Sequence, residues 1–310
     1  MNTPIVAILG TGAWGSALGK IVGNNRHDVR FWSHRGEIPI GDVVENAAII
    51  VSAVSMKGVI PTVAKLKPLN LPADRIIVTA TKGLDPDTRT PSQIWQSAFP
   101  DNPVVVLSGP NLSKEIAQGL PAATVLASKD LEAARQVQTI LSSDTFRAYV
   151  NEDPTGTELG GTLKNVMAIA SGVCDGMELG TNAKAALLTR ALPEIIRIGT
   201  HLGASAETFF GLSGLGDLIA TCDGTLSRNY QVGYGLAKGK PLEQILESLP
   251  GTAEGVNTTE VLIKIADKEA IAVPIARQVD RLLKGKITPK QAIQALMARE
   301  LKPEFCDLDF

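Results

Sequence analysis

The sequence predicts an α/β chain, a doubly wound Rossmann-type N-terminal domain with a parallel sheet followed by an all-α C-terminal domain. Three observations carry that expectation. Short β-branched runs alternate with longer amphipathic or small-residue segments through the first half. The first run leads directly into Gly10-Thr11-Gly12-Ala13-Trp14-Gly15, a GxGxxG. Beyond Val150 strand-like runs nearly vanish.

The expected strands are Ile5–Leu9, Val29–Trp32, Ile49–Ala53, Ile76–Thr79, Val104–Leu107, Ala123–Ala127 and Phe146–Val150. Helical patterns at Ala13–Val22, Gly58–Leu66, Asn111–Gln118 and Leu131–Leu141 separate them. Such alternation implies parallel pairing, because each crossover returns the chain to the same sheet edge. Runs with little polar alternation fit strands covered on both faces. Between Arg35 and Ala48 there is too little chain for a full crossover helix, and Pro39 and Gly41 interrupt it. The second crossover helix is therefore expected to be shortened or lost.

Asn151-Glu152-Asp153-Pro154 is a turn-rich break. With 310 residues and roughly 150 residues per domain, two domains are expected, 1–152 and 153–310. The second reads as helices near 158–174, 182–202, 227–238, 242–248, 260–268, 275–283 and 289–298.

Thirty Lys and Arg face 32 Asp and Glu, a net charge of −2, which gives no electrostatic reason to expect nucleic acid as partner. Only 4% of residues are aromatic, too few for single-strand stacking platforms. Cys174, Cys222 and Cys306 are widely spaced and form no CxxC, so neither a disulfide framework nor a metal site is expected. No apolar stretch approaches the roughly 20 residues of a membrane span, and the first residues lack a signal-peptide pattern. A cytoplasmic protein is expected. His27, His34 and His201 show no nucleophile–base or metal spacing and receive no catalytic role.

The strand–GxGxxG–helix order is the setting that gives this fingerprint its meaning. Gly10 permits the tight turn, Gly12 lets the backbone approach a pyrophosphate, Gly15 lets helix and strand pack, and the helix N-terminus faces the anion. A site selective for NAD carries Asp or Glu at the end of the second strand. Here that strand ends in Ser33-His34-Arg35, which suits the 2′-phosphate of NADP(H), with NAD(H) possible. His34 and Arg35 can also be read as loop residues facing water.

Further polar islands follow later strands. Lys82, in Thr81-Lys82-Gly83, can reach a phosphate or a carbonyl, or stand as a solvated loop lysine. Gly109-Pro110 can present backbone N–H groups to an anion, or only shape a turn. In the second half, Leu159-Gly160-Gly161-Thr162-Leu163-Lys164-Asn165 puts a lysine inside an apolar, small-residue helix, where an unpaired charge is costly. Gly214-Leu215-Gly216-Asp217 opens another apolar stretch, and Ser227-Arg228-Asn229 begins a helix. Ser227 alone reads most simply as an N-cap.

Taken together, GTGAWG, ATKGL, SGPNLSKE, LGGTLKNV, GLGDLIATC, LSRNYQVG and AEGVNT, in this order, resemble the NAD(P)-dependent glycerol-3-phosphate dehydrogenase family. The resemblance runs through nearly the whole chain. It implies an active site in the cleft between the two domains and interconversion of dihydroxyacetone phosphate and sn-glycerol 3-phosphate, which supplies phospholipid synthesis. Lys164 looks like the catalytic lysine and Lys82 like a second, near both nicotinamide and substrate. Gly109, Asn111, Asp217, Ser227, Arg228 and Asn229 match substrate-side positions, with Arg228 and Asn229 as the phosphate clamp. Ala13, Trp14, His34, Arg35, Ser113 and Glu254 match cofactor-side positions, as do Lys82 and Arg228. A homodimer follows from the same resemblance. The rival readings are a β-hydroxyacid or 6-phosphogluconate-type dehydrogenase and a redox sensor that holds NADPH without turnover.

Overall fold

A computed structural model describes residues 3–224, 226–301 and 303–304; Cys306 lies outside them. The chain divides into two compact units, the first comprising residues up to Asp85 together with Arg89–Glu158, the second Pro86–Thr88 and the chain from Leu159 onward.

The first unit is built on seven strands: β1 (Ile5–Leu9), β2 (Asp28–Trp32), β3 (Ile49–Ser52), β4 (Ile76–Thr79), β5 (Val104–Ser108), β6 (Ala122–Ala127) and β7 (Phe146–Asn151). Their order is β2-β1-β3-β4-β5-β6-β7. β3, β4 and β5 are buried at every position, which is why their sequences show no polar alternation. Ile8, Val51, Val78 and Leu107 pack on one face; Leu9, Ile50 and Ile77 pack on the other, with Trp95 fully buried among them. β1 lies between β2 and β3, so the strand order reverses there. Open α/β sheets bind ligands beyond the carboxyl ends of strands at such a reversal.

Two expectations need correction. All pairings are parallel except that of β6, which runs antiparallel to β5. The connector between them holds only the five-residue helix Ser113–Ala117. The connector, residues 109–121, is near the lower limit of the dozen or more residues that a parallel crossover needs, whereas an antiparallel entry only has to turn the chain back at the end it left. Second, a helix at Pro91–Ala98 went unread. Its start is a full capping box, Thr90 with Gln93, and Pro91 sits at the first helical position. The crossover after β2 is indeed short, a helix of five residues at Ile40–Val44.

The second unit contains no strand among its described residues. Its helices are Pro154–Gly176 (which begins in the first unit), Gly180–His201, Asp217–Cys222, Arg228–Ala237, Leu242–Ser248, Glu254–Lys268, Pro274–Leu283 and Pro289–Met297. A 3₁₀ turn at Ala206–Phe210 and a π-helical turn at Leu212–Gly216 precede Asp217. The buried Glu194 carboxylate accepts from the backbone N–H groups of Ile275 and Ala276, so it caps the Pro274–Leu283 helix from a distance. No helix among the described residues is long and apolar enough to cross a membrane.

Candidate active site

In the first unit the candidate nucleotide turn is shaped by what its glycines exclude. Gly10 has φ +113°, and its N–H donates to the Trp32 carbonyl at 2.8 Å. A Cβ on Gly10 would lie 2.8 Å from the Ala53 oxygen, and one on Gly15 only 1.9 Å from the Gly10 oxygen. Gly12 differs: a Cβ there meets nothing within 4 Å. Thr11, Gly12 and Ala13 are exposed, and the Ala13–Asn24 helix has no side-chain cap. Its first N–H groups, which lack intrahelical acceptors, therefore face open space. A pyrophosphate fits that arrangement, since nothing but an added side chain would obstruct it.

His34 and Arg35 are exposed in the turn after β2. His34 stands edge-on to Trp32 at 6.3 Å between ring centroids, and the Arg35 N–H donates to Ser33 Oγ at 3.4 Å. Lys82 follows β4 and donates from Nζ to the Gly109 carbonyl at 3.1 Å, which brings these two predicted residues together. Asn111 is tied to β6: Nδ2 donates to the Ala123 carbonyl at 2.9 Å, and Oδ1 accepts from Thr124 Oγ at 2.9 Å. Thr124, absent from the sequence reading, thus orients that amide. Ser113 opens the short helix that packs on the Ala13–Asn24 helix, where Lys20 Nζ reaches the Ala117 carbonyl at 2.7 Å.

In the second unit the arrangement is tighter. The Pro154–Gly176 helix approaches the turn before Asp217 so closely that a Cβ on Gly160 would sit 2.7 Å from the Ser213 oxygen. Four residues on from each of these, Lys164 and Asp217 meet, as helical periodicity dictates. Lys164 is 6% exposed and Asp217 2%, and Nζ donates to Asp217 Oδ1 at 2.9 Å. Nζ also donates to Thr221 Oγ, which in turn donates to the same Asp217 oxygen at 3.1 Å. Thr221 was missed by sequence reasoning, although its i,i+4 spacing from Asp217 puts both on one helical face. The carboxylate supplies the countercharge that makes burying the ammonium tolerable. Cys222, next in the chain, has its thiol pushed up to about 12 by burial, so it is no nucleophile.

Asn165, next to Lys164 in the chain, pairs with Asn229. Asn229 Nδ2 donates to Asn165 Oδ1 at 2.9 Å, and Asn229 Oδ1 accepts from the Gly255 N–H at 2.8 Å. Ser227 is the N-cap of the Arg228–Ala237 helix, its Oγ accepting from the Tyr230 N–H at 3.3 Å. Arg228 is exposed at the first helical position, and Glu254 opens the next long helix, half-buried. In the first unit Gly10 to Gly15, His34, Arg35, Lys82, Gly109, Asn111 and Ser113 thus follow the carboxyl ends of β1, β2, β4 and β5, and in the second Lys164 pairs with Asp217 while Ser227, Arg228 and Asn229 stand at one helix start.

Comparison with known proteins follows this division. The model for the N-terminus of NAD-dependent glycerol-3-phosphate dehydrogenase matches residues 5–39 and 39–134, and the model for its C-terminus matches residues 153–294. The glycerol-3-phosphate dehydrogenase [NAD(P)+] of Acaryochloris marina is 64% identical over 309 residues, covering 99% of this chain and 100% of its own length. That of a Synechocystis species is also 64% identical, with 99% and 97% covered. The crystal structure of the Coxiella burnetii glycerol-3-phosphate dehydrogenase superposes with a TM-score of 0.92 at 33% identity, covering 96% of this chain and all of that one. With motifs, fold and full-length similarity in agreement, the chain belongs to the NAD-dependent glycerol-3-phosphate dehydrogenase family.

Proposed function

We propose that this chain catalyses the reversible reduction of dihydroxyacetone phosphate to sn-glycerol 3-phosphate, with NADP(H) preferred and NAD(H) accepted. The observation that carries the reading is the buried Lys164 ammonium, held by Asp217 and Thr221. A reduced nicotinamide, when bound, supplies the hydride to the C2 carbonyl of the ketone. Negative charge develops on the C2 oxygen, where the Lys164 ammonium stabilises it and gives up a proton; in the reverse direction the amine takes that proton back. Asp217 and Thr221 fix Nζ in place. Lys82, bonded to the Gly109 carbonyl, serves as the second cation beside the substrate.

Gly10, Gly12, Ala13, Trp14 and Gly15 hold the dinucleotide pyrophosphate, and His34 and Arg35 take the 2′-phosphate. Ser113 and Glu254 complete the cofactor contacts; Arg228 contributes there as well as to the substrate. Arg228, Asn229, Ser227, Asn111 and Gly109 receive the phosphorylated ketone. Phosphate is a non-reacting handle whose binding energy orients a very small substrate, so free dihydroxyacetone is a poor one. In this reading residues 1–152 bind NADP(H), residues 153–310 carry the substrate and the proton donor, and the enzyme is a cytoplasmic homodimer serving phospholipid synthesis.

The test is loss of NADPH absorbance with dihydroxyacetone phosphate, run beside NADH. Lys164→Ala is expected to lower kcat by ~10²–10⁴-fold, the usual worth of a positioned acid, while NADPH binding by fluorescence persists. Turnover at the wild-type rate in that variant overturns the assignment.

A further inference from the structure

We propose that Gly251 is a positioning residue for Arg228: the missing side chain at 251 leaves the place in which the guanidinium lies. The proposal rests on the reading of Arg228 as a clamp for the substrate phosphate. Gly251 stands between the Leu242–Ser248 and Glu254–Lys268 helices, with φ +107° and its N–H donating to the Leu249 carbonyl at 2.8 Å. A Cβ built there would lie 2.6 Å from Arg228 Nη1 and 3.8 Å from Cζ. The backbone on either side is anchored. Ser227 and Asn229, flanking Arg228, are both 8% exposed, and Asn229 accepts the N–H of Gly255, four residues past Gly251. With both backbones held, an added carbon is accommodated by the flexible arginine, and the guanidinium is displaced.

Left-handed backbone is a separate demand that glycine also meets, and the same helix supplies a control for it. Gly239, just past the end of the Arg228–Ala237 helix, has φ +78°, yet a Cβ there meets nothing within 4 Å. Gly239→Ala therefore reports backbone strain without displacing an arginine. Asn enters the left-handed region more readily than other side chains, so Gly251→Asn keeps the collision while easing the strain.

Steady-state kinetics on the full chain test this with Gly251→Ala, Gly251→Asn, Gly239→Ala, Arg228→Ala and the double variant Arg228→Ala/Gly251→Ala. A charge-assisted contact to phosphate is worth on the order of tenfold in affinity or more. Both Gly251 variants should raise the KM for dihydroxyacetone phosphate about tenfold, with kcat within about twofold of wild type. Gly239→Ala should leave KM within about twofold, and adding Gly251→Ala to Arg228→Ala should change KM by less than about twofold. An unchanged KM in the Gly251 variants beside a raised one in Arg228→Ala overturns the positioning role alone. A Gly251 effect that persists undiminished without the arginine does the same. An unchanged KM in Arg228→Ala overturns the clamp itself, and the proposal with it.

Discussion

At residues 11–13 the backbone is exposed and the helix start has no side-chain cap, whereas at residues 158–165 two ionisable side chains, Glu158 and Lys164, are buried within one helix. The first region prepares for an anion by leaving atoms out. The second carries charge inside the protein, where it must be compensated on the spot. The two buried groups are compensated differently. Lys164 has an opposite charge, Asp217, at 2.9 Å. Glu158 has hydroxyl and backbone donors: it accepts from the Ser92 N–H at 2.9 Å and from Ser92 Oγ, at the start of the Pro91–Ala98 helix. A full countercharge keeps an ammonium charged at depth and available to react. Neutral donors anchor a carboxyl but leave burial the dominant influence on it.

Breaking the ion pair should give the largest effect on stability. Asp217→Ala leaves the Lys164 ammonium buried without its countercharge, a change that typically costs about 3–5 kcal/mol. The chain is expected to unfold at markedly lower urea concentration. Lys164→Ala/Asp217→Ala should recover part of that loss, since no charge is then stranded, while remaining inactive. If the single variant is as stable as wild type, Asp217 does not compensate the burial of Lys164.

The carboxyl should show itself through pH. Burial, opposed by the hydrogen bonds from Ser92 and Thr90, pushes Glu158 from 4.5 up to about 7. Its folded-state value lies above its unfolded one, so its contribution is fully present below about 4.5 and is lost as pH rises through about 7. That span corresponds to roughly 3 kcal/mol. Glu194, raised to about 7 chiefly by burial, acts in the same direction. Urea unfolding of Glu158→Gln should lose less stability between pH 4.5 and 7 than wild type, by up to roughly 3 kcal/mol. Parallel pH profiles for the two proteins would show that the carboxyl is already ionised throughout.

The difference between the regions also explains what could be read from the sequence. A strand buried on both faces leaves a compact record, and all seven strands were found in place within a residue or two at each end. The glycine turn is equally local, because its demands fall on neighbours in sequence. Lys164 was legible from its company of Gly160, Gly161, Val166 and Met167. Its partner Thr221 was not, because the bond to it spans 57 positions, and neither was Glu158, whose partner Ser92 lies 66 positions away. The antiparallel entry of β6 was hidden for another reason: a five-residue helix precedes β6 and also lies in the parallel crossover from β2 to β3, so the local pattern does not tell the two connections apart. The Pro91–Ala98 helix carried a signal, its capping box, but its apolar face of Pro91, Ile94, Trp95 and Ala98 spans only about two turns, too short a run for periodicity to stand out.

The smallest effects separate two glycines three residues apart. A methyl on Gly15 would lie 1.9 Å from the Gly10 oxygen, so the turn itself must move; overpacking of this kind costs about 1–3 kcal/mol and should depress folding stability and NADPH binding together. A methyl on Gly12 meets no protein atom within 4 Å. Alanine at a helix N-cap is less favourable than glycine by no more than about 1 kcal/mol, so Gly12→Ala should melt close to wild type. Its NADPH affinity should nonetheless fall at least tenfold, because the methyl occupies space that only a ligand would fill. Fluorescence titration and thermal melts on both variants decide the matter. If Gly12→Ala binds NADPH as wild type does, the open space at Gly12 is not where the pyrophosphate comes to rest.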